Sequence, residues 1–272
     1  MPLLREVVDL LHGWYPPDTA ESWDAVGLVY GDPAATVRRV LFAVDPVLPV
    51  ADEAAAWGAD LVVTHHPLFL RAVHGFAATT PKGRTLKRFA DAGCALLAAH
   101  TNADLAIGGV SEAMAAALGL SGLAPITTEA AGSESDAEPS AGTGRIGEVA
   151  PTTLRAFADR VSAALPATAQ GVRVAGDPDR AVRRVALLAG AGDFLLDTMA
   201  ASDADVFVTS DLRHHPASEF VEKDGPALVD VAHWAAEWTW LPVVESRLRS
   251  ALGDAVETRV STLVTDPWTF RV

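Results

Sequence analysis

The chain has 272 residues, half of them hydrophobic, 21% charged, and a formal net charge of −14. That length and apolar content suit one large α/β unit or two modest domains with a sizeable core. The acidic balance argues against non-specific nucleic-acid binding and against an anionic membrane surface, both of which need clustered Lys and Arg.

Leu3, Leu4, Val7, Val8 and Leu11 recur at helical spacing and predict an opening amphipathic helix, ended by Pro16 and Pro17. Glu21 to Gly31 reads as a loop running into a short strand, with Asp24 as a cap or turn residue. Arg38 to Asp45 is a strand ending in an acid, and residues 49–58 form a helix with Gly58 at its C-terminal cap. Leu61-Val62-Val63 is an apolar, mostly β-branched run, as expected of a strand buried on both faces. It leads into Thr64-His65-His66-Pro67. Thr85 to Ala92 predicts a helix stopped by Gly93, and Ala95 to Ala99 a second buried strand ending in His100-Thr101-Asn102-Ala103-Asp104. Ser111 opens a further helix. From about residue 127 to 144 the chain is small, acidic and broken by Pro and Gly, which reads as a flexible surface loop joining two halves, 1–126 and 145–272. Residues 152–164 form a helix, Arg173 to Gly176 a short edge strand, and Val182 to Leu188 a strand whose pattern has occurred before.

Val37-Arg38-Arg39-Val40 matches Val182-Arg183-Arg184-Val185, and Ala59-Asp60-Leu61-Val62-Val63-Thr64 matches Ala204-Asp205-Val206-Phe207-Val208-Thr209 at the same offset. By that offset the positions of His65 and His66 are taken by Ser210 and Asp211, with His214 and His215 further on. The strand Ala227 to Ala232 then ends in His233-Trp234-Ala235-Ala236-Glu237, so both copies close on a His, three residues and a carboxylate. Self-similarity in several ordered strings predicts a duplicated α/β fold, two αβ halves related by a pseudo-twofold, with mixed sheets flanked by helices.

The polar groups at predicted strand ends are His65, His66, His100, Asp104, Asp211, His214, His215, His233 and Glu237. Ligands and catalytic groups of α/β sheets collect at such ends, and a pseudo-twofold would gather them at one cleft. Taken singly, a His–x3–acid pair is an ordinary helix-surface contact; at matching places in both copies the two point to metal. Adjacent residues of an extended chain face opposite ways, so His65 and His66 suit two neighbouring ions rather than one. Imidazole and carboxylate without thiolate favour Zn, Fe, Mn, Co or Ni. Two such ions sharing a carboxylate make a hydrolytic centre. Cys94 is the sole cysteine, which excludes an intrachain disulfide and a thiolate cluster, and is expected to be buried and inert. Trp234, Trp238 and Trp240 are expected to serve packing. No serine-hydrolase elbow, Walker loop or dinucleotide fingerprint is present in the sequence. The start lacks the pattern of a signal peptide and no apolar run is long enough to cross a bilayer, so a cytoplasmic chain is expected.

Thr64-His65-His66-Pro67, His100-Thr101-Asn102-x-Asp104, Gly108-Gly109-Val110, His233-x-x-x-Glu237 and Trp23-Asp24-x-Val26-Gly27-Leu28 together resemble the Nif-three-like dinuclear metal-centre hexamer family, the GTP cyclohydrolase I type 2 homologues. The resemblance runs from about residue 3 to 268, the acidic loop excepted. It implies two divalent ions per chain, the first on His65, Asp104 and Glu237, the second on His66, His233 and the bridging Glu237. His100 would lie beside them, moving a proton or holding substrate. It also implies a ring-like homohexamer. The sequence departs from the family at Ala25, Ala103, Ala232 and Ala236, where Asn, Leu, Gly and Ser are usual; none is an implied ligand. Two functions follow as expectations. One is a metal-dependent hydrolase of a nucleotide or phosphoester-like small molecule; the other is a non-catalytic metal-binding scaffold or metal chaperone.

Overall fold

The computed structural model describes residues 1–127 and 141–272; most of the acidic loop expected over 127–144 lies outside the described residues. The chain divides into two units. The first comprises Met1–Ala106 and Leu241–Thr265, the second Ile107–Trp240 and Asp266–Val272.

The first unit opens with α1 (Leu4–Trp14), whose Leu4, Val7, Val8 and Leu11 are buried as the spacing requires. There follow β1 (Gly27–Tyr30), β2 (Arg39–Ala43), α2 (Leu48–Trp57), β3 (Leu61–Thr64), α3 (Pro81–Asp91), β4 (Ala95–Ala98) and the short α4 (Thr101–Leu105). α3 starts four residues before the predicted Thr85. Pro81 takes the first-turn position and Thr80 caps it, its Oγ1 accepting from Gly83 N at 3.1 Å. All four residues of β3 are buried, as are all four of β4; each large apolar side chain contributes on the order of 1.5–3 kcal/mol.

The second unit holds α5 (Val110–Ala117), β5 (Ser121–Ala124), β6 (Arg145–Thr153), α6 (Leu154–Ala164), β7 (Arg173–Ala175) and β8 (Ala181–Ala191). It continues through α7 (Leu196–Ala200), β9 (Val206–Ser210), α8 (His214–Val221), β10 (Ala227–Val231) and α9 (His233–Trp238). The chain then returns to the first unit with α10 (Leu241–Leu252) and β11 (Glu257–Val260).

The first sheet runs β1-β4-β3-β2-β11, the second β5-β6-β8-β9-β10-β7. Both are mixed. β2, β3, β4 and β11 are parallel with β1 antiparallel at the edge. β8, β9 and β10 are parallel, flanked by antiparallel β7 and β6. The order β1-β4-β3-β2 is therefore repeated as β7-β10-β9-β8, so the duplication is real at the level of topology. It holds atom by atom as well. The Asp60 carboxylate accepts from Arg38 N and Arg39 N at 2.7 and 2.9 Å; the Asp205 carboxylate accepts from Arg183 N and Arg184 N at 2.8 and 2.7 Å. Gly31 and Gly176 have φ of +136° and +147°, and a Cβ on either would lie 2.6 or 2.8 Å from the Cβ of Ala95 or Ala227. Each opens a Gly-Asp-Pro turn, Gly31-Asp32-Pro33 and Gly176-Asp177-Pro178, a shared string that pattern reading passed over.

The unit boundaries differ from the halves 1–126 and 145–272. The strand that follows each copy completes the sheet of the other. β6, after the first copy, pairs with β8, and β11, after the second, pairs in parallel with β2. Hydrophobic periodicity marks such strands but not their partners. Among the described residues no helix is long and apolar enough to cross a membrane.

Candidate metal centre

In the first unit three histidines gather where β3 and β4 end. Backbone bonds from His65 N to Ala43 O and from His66 N to Val44 O, at 3.2 and 2.9 Å, show the chain bending after Thr64. Thr64 Oγ1 donates to His66 O at 2.8 Å across that bend. The two neighbours are therefore not thrown to opposite faces, as an extended chain would require; their ring centroids are 5.1 Å apart. His100 joins them, its ring 5.1 Å from His65 and 5.4 Å from His66. One potential ligand atom from each of the three lies within 4.8 Å of the others. Asp104, in α4, places Oδ1 3.7 Å from His65 Nε2.

Every ring is oriented through the same nitrogen. His65 Nδ1 is 3.0 Å from Ala99 O, His66 Nδ1 2.7 Å from Asp45 Oδ1, and His100 Nδ1 2.8 Å from Asp24 Oδ1. Carbonyls and carboxylates only accept, so each Nδ1 carries a proton and Nε2 becomes the ligand nitrogen. Asp24, read from sequence as a cap or turn residue, has a further role. Its second oxygen accepts from Thr101 N and Oγ1 at 3.1 and 2.6 Å, and Ala25 N donates to Oδ1 at 2.7 Å. Burial alone would raise its pKa, but the bonds from His100 and Thr101 outweigh that and hold the carboxyl far below its usual range. Asp45 likewise accepts Thr265 Oγ1 on its other oxygen.

The second unit carries a His–carboxylate pair of its own, His233 and Glu237. His233 is the first residue of α9, and one turn on Glu237 Oε1 lies 2.7 Å from its Nε2. His233 Nδ1 is 2.7 Å from Asp211 Oδ2, repeating the carboxylate–imidazole arrangement. Burial lowers the His233 pKa, yet Glu237 and Asp211 overcome it and lift the ring to about 11. Without metal, an imidazolium proton supplies the positive charge this pocket is built around. Asp211 has φ of +60°, and the next amide, Leu212 N, donates to Asp230 at 3.2 Å, which steadies the turn. Beneath the pair β8 bulges between Leu187 and Ala191. Gly190 there has φ of +92°, and a Cβ on it would lie 2.9 Å from Glu237 Oε1, so only glycine fits.

The predicted parallel between the two His–x3–acid motifs fails in register. Ala95 N donates to Asp60 O as Ala227 N donates to Asp205 O, and the sheet pairings continue without a break. His100 thus corresponds to Ala232, and His233 to Thr101. His100 stands at the N-cap of α4, turned to Asp24, and Asp104 approaches His65 instead; only His233 and Glu237 form the one-turn pair expected. His214 and His215 open α8 on the surface with rings 5.2 Å apart and belong to no close donor group among the described residues. Cys94 is fully buried, its thiol pushed up to about 12 by burial. Trp234 and Trp240 are core residues.

The residues present fit a divalent ion. The donors are nitrogen and oxygen only, and each imidazole is held by a second group in the manner of metal ligands. Asp24, Asp45 and Asp211 are each visible in the sequence, but not their roles, because they lie far along the chain from the rings they hold, as Gly190 does from Glu237.

The profile of a family described as Duf34/NIF3 (NGG1p interacting factor 3) matches residues 2–267. A protein of Streptomyces coelicolor called "GTP cyclohydrolase 1 type 2 homolog" is 49% identical over 276 residues, covering 100% of this chain and 95% of that one. One of the same name from Mycobacterium tuberculosis is 36% identical over 366 aligned residues, covering 97% and 96%. Among solved structures, a Bacillus cereus protein related to NIF3 superposes with a TM-score of 0.89 at 24% identity over 99% of both chains, a likeness of fold. A Staphylococcus aureus hypothetical protein superposes at 0.87 with 27% identity over 99% of both.

Proposed function

This chain belongs to the Duf34/NIF3 family, and we propose that it is a dinuclear metal-dependent hydrolase of a nucleotide or phosphoester-like small molecule, working as a homohexamer in the cytoplasm. The observation that carries the proposal is the common tethering of His65, His66, His100 and His233 through Nδ1. Imidazoles fixed in one tautomer by carboxylates and a carbonyl are arranged for Nε2 ligation. In this proposal His65, His66, Asp104, His233 and Glu237 would hold the ions. That set of ligands follows the family resemblance. The ions would act as Lewis acids on a phosphoryl or carbonyl oxygen and make a water more acidic.

The chain's own residues supply the rest. His100, with Asp24 accepting from its Nδ1, is set to take a proton at Nε2 and return it to a leaving group. Asp24 stays ionised throughout and keeps the ring in that tautomer, as a triad carboxylate does. Glu237 is 2% exposed, so its charge is screened little by solvent.

Metal content of the purified protein, paired with hydrolysis of a nucleotide and phosphoester panel in added Mn, Zn or Fe, tests this. Two ions per chain are expected, with both metal and turnover lost in His65→Ala and Glu237→Ala. Turnover that survives in both variants overturns the site. Tight, exchangeable metal without turnover replaces hydrolysis with the scaffold or chaperone function. Light scattering should return six chain masses.

A further inference from the structure

The duplication exposes a vacancy in the second unit that the first unit fills with its own side chains. In the first unit the core cluster around Leu41, Phe89 and Leu96 is topped by Leu68, and Phe69 and Leu86 pack against it. Leu68 and Phe69 come from the long segment between β3 and α3. The matching cluster in the second unit is built on Ala186, Phe220 and Leu228. There β9 and α8 are joined by three residues, 211–213. Leu212 is all that this short turn lays on the cluster, and Ala217 stands three residues before Phe220 as Leu86 does before Phe89. Among the described residues, this turn holds no counterpart of Phe69.

A cavity of about 500 Å³ remains, floored by Val174, Ala175, Ala217 and Leu228. That volume falls in the range of small-molecule sites, which are apolar with a few polar groups at fixed places. Its rim carries Arg173 and Arg213, with Asp230 and Glu222. Arg173 pairs with Asp230, and Arg213 donates to Asp193 at 2.6 and 3.1 Å. Both guanidiniums are mostly solvent-exposed, but Arg173 is committed to the buried Asp230 carboxylate. The Arg213–Asp193 pair lies toward solvent, where such a pair is worth little, so Arg213 is the cation at this mouth that can turn to a ligand.

We propose that this cavity binds a small molecule with an aryl or branched apolar body and an anionic head. The body takes the space that Phe69 and the Leu86 side chain occupy in the first unit, and the head meets Arg213. Leu212, in the wall, follows Asp211, the residue that orients His233. A ligand there abuts the turn that supports one candidate metal ligand. The proposal stands independently of hydrolysis, because it rests on the apolar floor and Arg213.

The test uses two fluorescent probes with the same aryl body, anilinonaphthalene sulfonate and the uncharged phenylnaphthylamine. Saturable binding of one sulfonate per chain is expected, about tenfold tighter than the neutral probe. Arg213→Ala should bring the two affinities together. Ala217→Leu, which installs the first unit's residue, should abolish binding of both while metal content stays as in wild type. Ser218→Trp narrows the mouth from an exposed position and should do the same if Ala217→Leu folds poorly. Unchanged binding in both filling variants overturns the site, and equal affinity for the two probes overturns the anionic class. A change in subunit number on filling the cavity would mean that a second chain, not a small molecule, occupies it.

Discussion

The two copies share a frame and differ in cargo. Asp60 and Asp205 clamp the same pair of amides, and Gly31 and Gly176 make the same turn. At the strand ends the likeness stops. The first copy presents His65, His66 and His100, while the second puts Ser210, Asp211 and Ala232 at those positions and takes its imidazole from His233, one place later. The first copy covers its core with Leu68 and Phe69; the second leaves a cavity. A clamp of one carboxylate on two neighbouring amides has one geometry, so duplication preserves it. Strand ends face solvent or ligand and are free to diverge.

The largest effect should come from the carboxylates behind the rings. Asp45→Asn and Asp211→Asn remove the same kind of support in different copies. Each should weaken metal binding by about 10–100-fold, read by competition with a chelating dye. If one variant binds metal as wild type does, the two carboxylate–imidazole pairs are not functional equivalents. Asp24→Asn should leave metal content near wild type and depress turnover, since its partner is the proton carrier.

Next come the clamps. Asp60→Ala and Asp205→Ala each remove the acceptor of two amides near solvent, and each should cost about 0.5–1.5 kcal/mol in urea unfolding. Unequal losses would show that one unit governs the transition. Gly190→Ala should cost upwards of about 1 kcal/mol from backbone strain alone, and its added methyl would press on Glu237 Oε1, so reduced metal content should accompany lower stability.

Stability should also depend on pH through one residue of the second unit. His233 has its folded pKa raised from 6.5 to about 11 in the metal-free protein. A raised folded value stabilises fully below the unfolded pKa and is lost as pH climbs through the folded one. The stability gap between metal-free wild type and His233→Gln should therefore shrink from pH 6.5 toward pH 11. Over that range metal has less proton to displace, so affinity should rise and proton release fall. A gap that stays flat with pH would mean the Asp211–His233–Glu237 group is not the cation pocket described.

Much of the fold was legible because buried strands repeat strings such as Ala59-Asp60 and Ala204-Asp205, whose side chains have fixed jobs. The candidate site residues were legible as well, since His65, His66, His100, Asp104, His233 and Glu237 stand at strand ends or in the short helices that follow them. The one-residue slip between His100 and His233 was not. Spacing of His to acid is identical in both copies, and only hydrogen bonds across the sheet reveal which residues correspond. Nor could the sequence show that α3 begins at Pro81, because the segment before it carries no helical periodicity. The partners Asp24 and Asp45 were hidden for a simpler reason. A carboxylate beside a turn or strand end is ordinary, and its distance of 76 or 21 residues from the histidine it holds leaves no local trace.

The crossed strands have a consequence for synthesis. β11 pairs Glu257 with Arg39, so the first sheet waits for nearly the whole chain before its last strand arrives. Until then β2 presents an open parallel edge, the kind of surface that recruits strands from other chains. A nascent chain halted before residue 257 would carry three buried-type strands and an unguarded flank. Ribosome-bound lengths on either side of that point should differ sharply in protease resistance and in chaperone demand. The two sheets are thus completed in the reverse of the order in which they begin.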